Sequence, residues 1–90
     1  MSKPSIPFAD LRRLLLDLAF AEVVVPKSHV GFLHSNSETE LFLPIYRPNQ
    51  RVAPRHLAVV RTMLDGKGLL DGEDFDRFLA DVAAKHSVSG

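Results

Sequence analysis

Ala21-Glu22-Val23-Val24-Val25-Pro26-Lys27-Ser28-His29-Val30-Gly31-Phe32-Leu33-His34 decides how this chain reads. Ala21 to Val25 is β-branched and extended. Pro26 ends it as a ladder participant because it has no N–H to donate. His29 to His34 reads as a second strand, and so short a link predicts an antiparallel hairpin. His29 and His34 are five apart on that strand, so they point to opposite faces. Gly31 weakens the strand and allows close approach of a ligand or another backbone.

Helical periodicity lies on both sides. Upstream, Phe8, Leu11, Leu15 and Leu18, with Leu14, form one apolar stripe, which predicts a helix from about Pro7 to Leu18. Pro7 suits its first turn, Asp10 complements the dipole there, and Ala19-Phe20 ends it. Downstream, Ser35-Asn36-Ser37-Glu38 is a turn cluster. Leu41 to Tyr46 reads as a third strand, at an edge or bulged because of Pro44. Arg47 to Ala53 is a polar loop. A second helix runs from Pro54 to about Asp65 with Leu57, Val60 and Leu64 inward, and Gly66 and Gly68 stop it. Asp71 caps a third, whose inner face is Phe75, Phe78, Leu79 and Val82, and fraying is expected from Lys85. The expected fold is α+β in the order α-β-β-β-α-α, with helices on one face of a three-stranded antiparallel sheet.

At 90 residues and 46% hydrophobic, the chain is expected to form a single domain over 1–90. With no cysteine, disulfides, thiolate metal sites and a cysteine nucleophile are excluded, which suits a cytoplasmic protein. No apolar run reaches membrane-spanning length, and the start of the chain reads as lacking a secretory signal, so no membrane partner is expected. Net charge is zero but unevenly spread. Residues 1–62 hold eight of the eleven Lys and Arg and five of the eleven acids, a balance of +3, and residues 63–90 carry −3. Leu41 to Thr62 contains Arg47, Arg51, Arg55 and Arg61 and no acid, which points to an anionic partner for one face.

Several chemistries fail on spacing. The four histidines, His29, His34, His56 and His86, show no metal-ligand pattern, so no metal or other cofactor is expected. Ser28 and His29 are neighbours on an extended chain and diverge, which does not suit a serine nucleophile. Asp65-Gly66-Lys67-Gly68-Leu69 puts Lys67 and Leu69 where a calcium loop needs oxygen ligands. Glu73, Asp74, Asp76 and Asp81 would repel phosphates from the third helix, so it is not a DNA-reading helix.

Two constellations remain. Arg51, Arg55 and His56 flank the start of the second helix, where backbone N–H groups and the dipole favour an anion. Arginines there add bidentate donors for phosphate, and the competing reading is a solvated basic loop. Lys27-Ser28-His29 fits phosphodiester cleavage. A histidine exchanges protons near neutral pH, so His29 could take one from a ribose 2′-hydroxyl or give one to a departing 5′-oxygen. Lys27 could stabilise charge on the phosphorane, and the competing reading is a surface histidine at a turn.

The helix Leu11–Phe20, then Ser28-His29, then Phe32 and His34, resembles the HicA-type toxins of bacterial toxin–antitoxin systems. In that family a helix ending in Gly-Phe or Gly-Trp precedes a basic strand, a Gly-Ser-His turn and an aromatic strand residue. The likeness covers residues 8 to about 70, with the acidic helix, about 71–85, as an extension. It implies a double-stranded-RNA-binding-domain-like fold, endoribonuclease action on mRNA and a HicB-type antitoxin as partner. The matching catalytic residue is His29. Their own chemistry, rather than the likeness, adds Lys27 and Ser28 on phosphate and Arg51 and Arg55 along the RNA backbone. Lys27 stands where the family has glycine, and Val24 where it has a basic strand residue. The alternative expectation is a non-catalytic module of the same fold that binds RNA or protein. The third helix is the expected docking or self-association face, with a homodimer as one outcome.

Overall fold

The computed structural model describes residues 5–25 and 29–87. The elements are α1 (Phe8–Asp17), β1 (Ala21–Val25), β2 (His29–His34), β3 (Thr39–Pro44), α2 (Pro54–Gly66) and α3 (Gly72–Ser87). The three strands form one antiparallel sheet in the order β1-β2-β3. This is the α+β order expected from the sequence. Two elements differ in extent. The third strand begins at Thr39, because Thr39 already pairs with His34 to close a four-residue loop, and it ends at Pro44. The last helix continues past Lys85 to Ser87.

Register sorts the side chains by face. Val24, Val30 and Leu43 lie in one cross-strand row, and Glu22, Phe32 and Leu41 in the next. These rows, with His34 and Thr39, face the helices. Phe32, Leu41 and Leu43 are buried there with Phe8, Leu11 and Leu15 of α1, Leu57, Val60 and Leu64 of α2, and Phe75, Leu79 and Val82 of α3. The opposite face carries Ala21, Val23, His29, Gly31, Leu33, Glu40, Phe42 and Pro44 and is uncovered by any described element.

Polar groups on the covered face are paired, as burial demands. His34 is only 7% exposed, against the Phe20 ring at 5.1 Å. Its Nδ1 accepts the Ser37 N–H at 3.2 Å and lies 2.8 Å from Ser37 Oγ, which in turn meets Thr39 Oγ1 at 2.6 Å. An Nδ1 that accepts an amide proton fixes the neutral ring as the Nε2–H tautomer. The His34 side chain therefore clamps the β2–β3 turn that the sequence showed only as a polar cluster.

α1 and α2 end in the same motif. The Phe20 N–H reaches back to Leu15 O and the Ala19 N–H to Leu16 O. In the second helix Leu69 N–H reaches Leu64 O and Gly68 N–H reaches Asp65 O. Both are Schellman ends, which need a left-handed residue just past the cap. Gly68 supplies it at φ 70, while Ala19 is forced there at φ 73. A Cβ in that region is strained. Ala19→Gly is expected to raise stability by ~1 kcal/mol, and Gly68→Ala to lower it by a similar amount. Urea denaturation checks both, and a destabilised Ala19→Gly variant would show that Ala19 is not strained.

Candidate nucleic-acid interface

α1 has no side-chain cap at its N-terminus. Its first amides go instead to a loop forty residues away in sequence. Phe8 N–H donates to Gln50 O at 2.8 Å and Ala9 N–H to Pro48 O at 2.9 Å. Val52 N–H donates to Ile6 O at 2.9 Å, and Pro7 and Arg51 form an antiparallel bridge. These bonds hold the arginine-bearing loop at the start of α1.

The same end of the molecule receives β2 and α2. His29 is the first residue of β2, opposite Val25 and Pro44. The chain leaves the sheet at Pro44 and runs directly into the loop that holds Arg47 and Arg51. α2 begins at Pro54, so Arg55 lies in its first turn.

The individual side chains differ in what they do. His29 is exposed on the uncovered face, and among the described residues no side chain hydrogen-bonds its ring. Arg51 is exposed, and its Nη1 donates to Ser5 O at 2.8 Å, so one of its donors serves the N-terminal pairing. Arg55 is exposed to solvent. Lys27 and Ser28 lie outside the described residues. His29 therefore shares an end of the sheet with the arginine loop, without a hydrogen bond or ion pair between them among the described residues.

Arg61, the fourth arginine of the acid-free stretch, is engaged elsewhere. Its Nε and Nη2 donate to the two carboxylate oxygens of Asp76 at 2.9 and 3.0 Å. Those bonds and the Asp76 charge raise the Arg61 pKa above its ordinary value. The guanidinium lies over Gly72, where a Cβ would come within 2.7 Å of it. Arg61 thus clamps α2 to α3, and the local basicity narrows to Arg47, Arg51 and Arg55.

One pair was not singled out by sequence reasoning. Tyr46 stacks on Phe8 with ring centroids 5.6 Å apart and meets His56 edge-on at 5.9 Å. Its hydroxyl accepts the Ala53 N–H at 3.1 Å and lies 2.5 Å from His56 Nδ1. The hydroxyl thus bridges the start of α2 and the His56 ring, fixing the ring's orientation. The sequence held a signal for this. Ala53-Pro54 offers no capping side chain, so another polar group must meet the amide at that helix start. A largely buried tyrosine hydroxyl must also find a partner.

Among the described residues, no three His, Asp or Glu side chains gather as metal ligands would. No helix of the described residues is long and apolar enough to cross a membrane. Comparison of the chain with protein-family models, with curated proteins and with solved structures gives no match to any of the three.

Tyr46→Phe removes the shared hydroxyl and leaves Ala53 N–H and His56 Nδ1 without it. A loss of ~1–3 kcal/mol is expected by chemical denaturation. Nitrogen-15 NMR should show a shifted tautomer balance for His56. An unchanged tautomer would mean that the hydroxyl does not orient the ring.

Proposed function

We propose that this chain is a metal-independent endoribonuclease of the HicA-toxin type, with His29 as its acid–base residue. The observation that carries the reading is the exposed imidazole of His29 on the first residue of β2, at the end of the sheet that also holds Arg47, Arg51 and Arg55. An imidazole with no intramolecular acceptor among the described residues is open to a proton on a bound substrate. The basic loop and the start of α2 suit a polyanionic backbone.

In this reading His29 takes the proton from a ribose 2′-hydroxyl, and the oxygen attacks the adjacent phosphorus. The P–O5′ bond breaks, and the 5′-oxygen leaves with a proton drawn from solvent water, while the proton on His29 returns to solvent. A 2′,3′-cyclic phosphate and a free 5′-hydroxyl result. Lys27 and Ser28 contact the phosphate, while Arg51 and Arg55 hold the flanking backbone. The partner that would silence such a cytoplasmic toxin is a HicB-type antitoxin that covers His29.

A second reading has its own support. No described side chain orients the His29 ring by a hydrogen bond, whereas the rings of His34 and His56 are both held by hydrogen bonds. That favours a non-catalytic module of the same architecture in which the arginines bind RNA and His29 is one surface contact.

The test is cleavage of a defined RNA by wild type, His29→Ala and Arg51→Ala/Arg55→Ala. Loss of a general acid or base should lower the cleavage rate by about 10²–10⁴-fold while RNA affinity changes little. The double arginine variant should weaken binding and flatten its salt dependence, because fewer counterions are released. Wild type that binds RNA without cutting it would leave the second reading. RNA binding that ignores salt would remove both.

A further inference from the structure

A sheet edge is a row of backbone N–H and C=O groups waiting for a strand, and proteins usually blunt it with charge, proline or a bulge. The two edges of this sheet are treated differently. β3 carries Pro44, which has no N–H, and the exposed charge of Glu40. β1 carries neither proline nor lysine, and no described element pairs with its outer side. Its one charge, Glu22, is tied down by Arg12 of α1 at 2.8 Å. Next to that pair, Val24 stands 96% exposed although register puts it on the helix-facing side of the sheet, because the helical layer does not extend over it.

We propose that β1 is a self-association edge: two copies pair their β1 strands antiparallel about a twofold axis through Val23, forming one continuous six-stranded sheet.

Charge selects both the occupant and the register. Centred on Val23, every residue of the strand has a partner. Ala21 faces Val25 of the other copy, Glu22 faces Val24, and Val23 faces its own counterpart. No like charges meet. Val24 of each copy comes against the hydrocarbon part of the other copy's Arg12–Glu22 pair, which covers the most exposed large apolar side chain of the described residues. Centring on Glu22 would place two carboxylates directly opposite, which is destabilising. Centring on Val24 would set Glu22 against Pro26, which cannot donate to a ladder. A strand of valines around one neutralised glutamate is therefore complementary to itself in one register. Pairing also joins the two uncovered faces, extending the apolar strip of Val23, Gly31, Leu33 and Phe42 across the axis. This places self-association on β1 rather than on α3, and it does not depend on the ribonuclease reading.

Sedimentation equilibrium of the full chain, from micromolar to millimolar concentration, tests the proposal. Wild type is expected to dimerise reversibly. Val24→Lys should weaken the dimer by about tenfold or more, since a lysine on the edge opposes pairing. Its circular dichroism and melting temperature at low concentration should match wild type, because that side chain touches almost nothing in the monomer. Val23→Cys gives a second readout in a chain that has no other cysteine. It should form an intermolecular disulfide under mild oxidation, far faster than Val59→Cys on the exposed side of α2. A wild type that stays monomeric throughout would overturn the proposal and leave the edge to a strand from another protein. So would a dimer that Val24→Lys leaves intact, or cross-linking no faster at position 23 than at position 59.

Discussion

The first amides of α1 cannot be satisfied within the helix, and the neighbouring sequence supplies no capping side chain. Their partners are the carbonyls of Pro48 and Gln50. Much of the molecule depends on that exchange. It joins the N-terminal segment to the loop before α2, pairs Ile6 with Val52 in the core and fixes where the second helix starts. It also makes the arginine loop a supported surface. Arg51 sits in the bridge opposite Pro7, so its position follows from backbone hydrogen bonds rather than from its own charge.

The same end of the sheet carries two kinds of histidine. His56 is held by Tyr46, whose hydroxyl does double duty as the polar cap of α2. His29 stands at the rim with no such restraint among the described residues. An enzyme needs its proton-transfer group placed within a fraction of an ångström of the reacting atoms, and substrate contacts can supply what the free protein does not. In the proposed reading, the contrast between the two histidines is what separates cleavage from binding.

The acid-free basic stretch from Leu41 to Thr62 is divided in space. Arg61 is spent on Asp76 and stitches α3 to α2 over Gly72. Exposed ion pairs contribute little each, but a bidentate arginine fork adds orientation to its modest energy. The acidic α3 thereby takes one cation out of the basic stretch, leaving Arg47, Arg51 and Arg55 at the other end of the connection. The uncovered sheet face, meanwhile, carries one carboxylate, Glu40, among the described residues.

What the sequence by itself determined was local. A β-branched run made β1, the short link after it made β2 its hairpin partner, leucines at helical spacing made α1, and Gly68 stopped α2, because these signals act over a few residues of chain. The opposite facing of His29 and His34 was equally legible, since strand geometry alone enforces it. Tertiary structure decided everything that joins distant residues. The capping of α1 by Pro48 and Gln50, the Tyr46–His56 bond and the Arg61–Asp76 clamp all depend on which unsatisfied group meets which across the fold. Sequence shows that a donor or a charge exists, but only the packed chain shows what answers it.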